Sequence, residues 1–202
     1  MDKRVVRTGN ALFNAISRLL ESKKFEDINI KEVSELAGIG RATFYRNFDY
    51  VEDVLKLKVD HHFNELTTKV EPFTTDDAEP VDLQPMFAYW VSNAEILKVL
   101  IKADRWEIFA TRFSDASNIP TSELSEKAGF NSAQTEYLQA IIQGMFNSIL
   151  HTWVSRGCIE NAEELKGMFE IPFRMYLIRQ KKFGNSLDDI VQWSLGDSKS
   201  HI

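Results

Sequence analysis

The sequence predicts an all-α protein: an N-terminal three-helix helix-turn-helix unit followed by a larger helical C-terminal body. Three observations carry that expectation. Residues Asn29 to Phe48, NIKEVSELAGIGRATFYRNF, place apolar side chains at helical spacing on both sides of a glycine turn. From Pro85 onward the chain runs into successive aromatic-rich segments. The stretch Ala133 to Arg156 is apolar around more than half its circumference at about 100° per residue. Hydrophobic residues at 44% and charged residues at 27% suit a soluble globular chain, and 202 residues suffice for one domain or two small ones.

The first helix is expected to run from the basic leader Lys3, Arg4 and Arg7 to about Ser22. Leu12, Phe13, Ile16, Leu19 and Leu20 form its buried stripe, each worth about 1.5–3 kcal/mol once covered. Read by itself, the leader is a solvated terminus. Phe25 and Ile28 plug the core beneath the loop Lys23–Asp27. Asn29 caps the second helix, whose apolar face is Ile30, Val33 and Leu36, with small Ser34 at a close crossing. Gly38 supplies the left-handed residue that ends it, and Ile39 drops between the helices. In the third helix, Arg41 to Phe48, the two phenylalanines Phe44 and Phe48 face inward. Arg41, Thr43, Tyr45, Arg46 and Asn47 are left without a core to occupy, and such cations, hydroxyls and amides suit phosphate oxygens and base edges. The spacing is that of a helix-turn-helix, whose second helix enters the DNA major groove. Spacing alone also describes a plain helical hairpin with a solvated polar face.

The order of residues is more specific. Ala37-Gly38-Ile39-Gly40-Arg41-Ala42-Thr43-Phe44-Tyr45-Arg46-Asn47-Phe48 resembles the signature of the TetR family of transcriptional regulators. There an Ala-Gly turn leads into a helix carrying Thr, an apolar residue, Tyr, and a Phe three positions later. The resemblance extends through Ala11-Leu12-Phe13 and Glu52-Asp53-Val54-Leu55, about the first third of the chain. It implies a DNA-binding domain over residues 1–50 with its motif at 29–48, and a helical regulatory and dimerisation domain over 51–202. It also implies a homodimeric repressor on a near-palindromic operator, its recognition helices about 34–36 Å apart. Arg41 and Asn47 are the candidates for base edges, Thr43, Tyr45 and Arg46 for phosphates, with Lys3, Arg4 and Arg7 assisting. Two positions depart from the family. Val51 stands where a phosphate-touching lysine is common, and Gly40 replaces the serine that often caps the recognition helix. The missing lysine keeps a second expectation open, that of a relative acting through a protein partner as a coactivator.

A fourth helix is expected from Tyr50 to near Val70, capped by Asp49, with Val54, Leu55, Val59, Phe63, Leu66 and Val70 inward. His61 and His62 read as surface or pocket-wall residues, because no third metal ligand accompanies the His61–Glu65 pair. The acidic stretch 73–80 reads as a loop. Three helices follow, at Pro85–Ser92, Ala94–Ala103 and Trp106–Ala116. Their rings either fill a core or line a concave apolar site. The resemblance places a pocket for an unidentified small-molecule effector here, with Phe63, Trp90, Trp106, Phe109 and Phe113 as its walls. Residues 117–131 form a connection, and Ser132 caps the long helix that Gly157 ends. A helix apolar over so much of its surface needs two partners. The last long helix starts near Ala162 and contains Pro172, which should kink it. Family members pair their last two long helices with a second copy, so Ile142, Met145, Ile149, Trp153, Phe169 and Phe173 are the expected dimer contacts. A short helix, Leu187–Leu195, packs Trp193.

The net charge of −6 is unevenly divided. Residues 1–58 hold 11 Lys/Arg against 9 Asp/Glu, a balance of +2, and the remainder carries −8. Such asymmetry suits a nucleic-acid-facing unit on an acidic body. No run of eighteen apolar residues offers a membrane span, no signal-peptide core is present, and the lone Cys158 fits a reducing cytoplasm. No phosphate loop, zinc spacing or nucleophile elbow is found, so neither enzyme activity, cofactor nor metal is expected.

Overall fold

Amphipathic spacing in the first fifty residues becomes three helices crossing around a shared set of aliphatic and aromatic side chains. The computed structural model describes residues 3–69, 83–116 and 129–183, with side chains at all of these except 3, 116 and 173–183. Every long element among them is an α-helix. The helices are α1 (Lys3–Leu19), α2 (Ile30–Ala37), α3 (Arg41–Asn47), α4 (Val51–Lys69), α5 (Gln84–Ser92), α6 (Ala94–Lys102), α7 (Trp106–Ala116), α8 (Ser132–Ser155) and α9 (Ala162–Phe183), with a 3-10 turn at Phe25–Asp27. The expected loop at 73–80, most of the connection 117–131, and the tail helix with Trp193 lie outside the described residues.

Leu12, Phe13, Ile16 and Leu20 of the first segment bury against Phe25, Ile28, Val33, Phe44 and Phe48. Asn29 caps α2 reciprocally. Its carboxamide oxygen accepts the Glu32 N–H at 3.0 Å, while Glu32 accepts the Asn29 N–H at 3.4 Å. Lys23 then grips the other oxygen of the same carboxylate at 2.7 Å, tying the loop to the helix. Leu36 departs from expectation and is 40% exposed. The inward stripe of α2 is Ile30, Val33, Ser34 and Ala37, and at about 100° per residue Leu36 stands off its edge. Ser34 takes the crossing position and is fully covered.

Helix α4 spans the molecule. It packs on both α1 and α7. The α1–α4 crossing is close because Gly9 has no side chain; a Cβ there would lie 2.7 Å from Leu57 Cδ2. The expected Asp49 cap is absent. Asp53 does that work from inside the helix, its carboxylate accepting the N–H groups of Asp49 at 3.1 Å and Tyr50 at 2.8 Å. The cap of α8 is likewise Asn131, in a capping box with Gln134, and Ser132 is the first helical residue. Pro172 lies inside α9, which continues to Phe183. Helix α5 packs on α9, α6 on α8, and α7 on α4, α6 and α8. No described helix is long and apolar enough to cross a membrane.

The adjacent histidines of α4 have opposite fates, since successive helical residues point about 100° apart. His61 is half-buried, 3.9 Å from the Glu65 carboxylate. His62 is buried, with Nδ1 3.0 Å from the Tyr89 hydroxyl. That hydroxyl also donates toward Glu65 Oε2 at 3.1 Å, and the bond holds the Glu65 carboxyl below its usual range while desolvation works against it. Burial pushes the His62 imidazolium down to about 4, helped by the nearby Lys58 charge.

In the unfolded chain His62 titrates near 6.5, so between that pH and about 4 the unfolded state binds more protons. The contribution of His62 to folding stability is therefore full above pH 6.5 and declines as the pH falls toward 4, by roughly 3 kcal/mol in all. Urea titrations of the wild type and His62→Gln at stepped pH should show this acid loss in the wild type, and a shallower slope in the variant.

Candidate nucleic-acid interface

The surface that α3 presents depends on how the helix is rotated. Phe44 is completely buried and Phe48, at the C-cap, nearly so, their rings 5.5 Å apart. With those two inward, about 100° per residue sends Ala42 and Arg46 to the opposite side. Thr43 and Asn47 take one flank, Arg41 and Tyr45 the other. Arg41, Arg46 and Asn47 are exposed, Tyr45 is 59% exposed, and Thr43 is half-buried. The Tyr45 ring meets Phe44 edge-on at 5.8 Å, which leaves the phenol end outward. Asn47 donates its amide to the Thr43 carbonyl at 2.8 Å, so its own oxygen remains to accept a bond. Arg4 and Arg7 are exposed near the start of α1; Lys3 begins that helix, and its side chain lies outside the described residues.

The turn that sets α3 against α2 is built by glycine. Gly38 sits at φ 68°, ψ 29°, and its N–H together with that of Ile39 closes the end of α2 on Glu35 and Ser34 carbonyls. Gly40 is the N-cap of α3 and offers it no side-chain bond. Val51 is buried at the first position of α4, so at this point the chain contributes to the core instead of presenting a charge.

The aromatic residues expected to wall a pocket are brought together. Phe63 lies 5.2 Å from Trp90, 5.5 Å from Phe109 and 6.2 Å from Phe113, and Trp106 lies tilted beside Phe109 at 4.9 Å. Phe63, Trp90, Phe109 and Phe113 are buried and touch one another; Trp106 is half-buried. Near this cluster the Trp90 indole N–H is buried with no hydrogen-bond partner among the described residues. Neither that donor nor the buried His62–Tyr89 pair is announced by sequence, because each depends on which way a ring turns in the core. Among the described residues no group of three His, Cys, Asp or Glu side chains is placed to hold a metal ion.

The expected dimer contacts divide. Trp153 and Phe169 are buried within their own subunit, Trp153 donating its N–H to the Glu160 carbonyl at 2.9 Å. Ile142, Met145 and Ile149 are half-buried against the core. The Phe173 side chain lies outside the described residues. Among the described side chains, the large apolar ones that α8 and α9 leave exposed are Tyr137, Ile141, Met168 and Ile171.

No protein-family model and no curated protein matches the chain. Solved structures do. A TetR transcriptional regulator from Streptococcus agalactiae superposes with a TM-score of 0.56 at 19% identity, over 84% of this chain and 96% of that one. The fold is that of the TetR regulators. The fatty acid degradation regulator FadR from Bacillus halodurans gives a TM-score of 0.53 at 12% identity, over 85% of this chain and 95% of its own. The dihydroxyacetone kinase operon activator DhaS gives 0.53 at 16% identity, over 88% and 98%. All three neighbours are described as regulators or an operon activator. In a TetR-like fold α2 and α3 form the helix-turn-helix, and the exposed residues of α3 lie on its second helix.

A Cβ at Gly38 would meet no atom within 4 Å, so the effect of a side chain there is purely conformational. Gly38→Ala should destabilise the chain by about 1–2 kcal/mol through the left-handed backbone alone, and Gly38→Asn by less. Chemical denaturation of both variants tests the ordering; an alanine as stable as glycine would contradict it.

Proposed function

We propose that this chain is a DNA-binding transcriptional regulator that acts as a homodimer on a near-palindromic operator, by the repressor's mechanism of occupying it. Residues 1–50 form the DNA-binding domain and 51–202 the regulatory and dimerisation domain. The observation that carries the reading is the outer surface of α3. Two arginines, a phenol and an amide are exposed there above a fully buried Phe44. Arg41 and the free oxygen of Asn47 address base edges, while Thr43, Tyr45 and Arg46 grip phosphates. Lys3, Arg4 and Arg7 add backbone contacts from the start of α1.

Dimerisation is supported by Tyr137, Ile141, Met168 and Ile171, apolar side chains exposed on the α8–α9 pair. Pairing across these helices would set two copies of α3 about one helical turn apart, 34–36 Å, on the duplex. A small-molecule effector is the remaining part. It would separate the rings of Phe63, Trp90, Phe109 and Phe113, and the unpaired Trp90 N–H favours one that is largely apolar with a hydrogen-bond acceptor. Release of DNA follows only if the effector prefers the DNA-incompetent conformation; a hundredfold shift requires about 2.7 kcal/mol of preference.

One observation favours a second reading, in which the chain works through a protein partner as a coactivator. Val51 is buried where the family commonly presents a phosphate-binding lysine. Stoichiometric recovery of a protein partner from native cells, with no duplex selected by the purified chain, would favour it.

Duplexes selected from a randomised library by the purified chain provide the direct test. Tyr45→Ala and Arg46→Ala should each weaken binding about tenfold or more in gel shifts, and each lost phosphate contact should lower the salt-dependence slope by about 0.9. Wild-type binding by both variants would remove α3 from the interface. In the same assay Ile141→Glu combined with Met168→Glu should yield a monomer that shifts full sites far more weakly; a dimeric double variant would place the interface elsewhere.

A further inference from the structure

The α1–α3 unit meets the rest of the molecule mainly where α1 crosses α4. One helix–helix crossing holds two bodies together but permits them to roll about each other. A second attachment lies off that axis, at the corner between α6 and α7. Lys102 pairs with Glu21 at 2.9 Å, beside the end of α1. Arg105 does more. Its Nη2 lies 3.2 Å from Glu26 in the 3-10 turn, and its Nε lies 3.2 Å from Glu52 in the first turn of α4. The guanidinium carbon sits 5.1 Å from the centroid of the Phe25 ring, a core residue of the three-helix unit. One half-buried cation thus joins the body to α4 and to the α1–α2 connection together.

The backbone behind Arg105 is fixed. Asp104 adopts φ 54°, a left-handed conformation uncommon for a residue with a side chain. It lets Arg105 N–H return to the Leu100 carbonyl at 2.8 Å and Asp104 N–H to Ile101 at 3.0 Å, closing the end of α6. The Arg105 Nη1 donates to the Asp104 carbonyl at 2.7 Å. The corner is therefore rigid up to the guanidinium, whose planar fork suits two carboxylates and a ring face as a lysine ammonium does not.

We propose that Arg105 is a positioning residue: through Glu26, Glu52 and Phe25 it fixes how the α1–α3 unit is oriented on the body. A displacement of the α6–α7 corner is thereby transmitted to the recognition helix. The consequence for DNA rests on the reading given above; the orientation itself does not. In the full chain with Cys158→Ser, nitroxide labels at Glu35→Cys on α2 and Lys98→Cys on α6 report it through pulsed dipolar distances, with labelled chain diluted in unlabelled.

The parent should give one narrow distance distribution. Arg105→Ala should broaden or shift it, and Arg105→Lys, which keeps the charge but loses the fork and the ring face, should fall between. Glu26→Gln, a milder change, serves if the alanine variant does not fold, and should broaden the distribution as well. Distributions that match the parent in the folded variants overturn the proposal. Selected duplexes with varied half-site spacing add the functional readout: the alanine variant should lose at least about threefold of the parent's spacing preference. A parent that selects no duplex sinks the DNA reading and leaves the distance result to decide this one.

Discussion

A seven-residue helix has no independent existence in water; isolated helices shorter than about 12–15 residues are marginal even with favourable sequences. Helix α3 exists because Phe44 is completely buried, and Phe48 nearly so, in the core shared with α1 and α2. That burial does two things at once. It supplies the energy that holds the helix together, and it sets the rotation that turns Arg46 outward and Arg41, Tyr45 and Asn47 to the sides. The exposed polar side chains of α3, proposed above to meet a duplex, stand outward as the complement of one buried ring. The left-handed Gly38 matters for the same reason, since it delivers α3 to the angle at which Phe44 reaches the core.

The charge distribution follows the same division. A chain of net charge −6 suits a polyanion poorly unless its acids are kept from the binding face. Glu21, Glu26, Glu32 and Glu52 all belong to the first 58 residues, and each is paired with a cation, three of them with one from the body. Lys56 also holds Glu52 at 2.7 Å. Exposed pairs of this kind add little stability singly. Their effect here is to neutralise carboxylates locally, and beyond about 8 Å the remaining acidity of the body is screened. The arginines of α3 keep the local field.

Much of this was legible in sequence because it is local. The Asn29 cap, the Gly38 turn and the inward pair Phe44 and Phe48 each depend on residues within one or two turns. Where two neighbouring residues can do one job, sequence does not choose: Asp53 caps α4 in place of Asp49, and Asn131 caps α8 in place of Ser132. Helix α8 shows a different limit. Its apolar coverage announces two partners, but periodicity does not say which side belongs to its own subunit. Packing on α6, α7 and α9 covers Trp153 and Leu150 and leaves Tyr137 and Ile141 outside. The Arg105 contacts join residues 53 and 79 positions apart, and no local pattern foretells them.

These long-range contacts bear on how the aromatic cluster and the recognition helix influence each other. Phe63, at the cluster's centre, belongs to α4, the helix whose first turn Arg105 holds. Arg112 of α7 lies over the Phe63 ring at 5.2 Å while pairing with Asp60 of α4 at 2.7 Å. Helices α4 and α7 are thus joined by both packing and charge where a ligand would press them apart. Interiors packed at crystal density resist compression, so such pressure is relieved by moving elements as units. If α4 and α7 move together, the contacts that come under load are those to helices outside the pair. Among them are the His62–Tyr89 bond to α5 and the contact of Arg105 with Glu26 in the α1–α2 connection. The first is buried and polar, and leaving its partners unpaired costs more than breaking an exposed ion pair. Load on the α6–α7 corner is thus passed to the α1–α2 connection through the weaker of the two contacts.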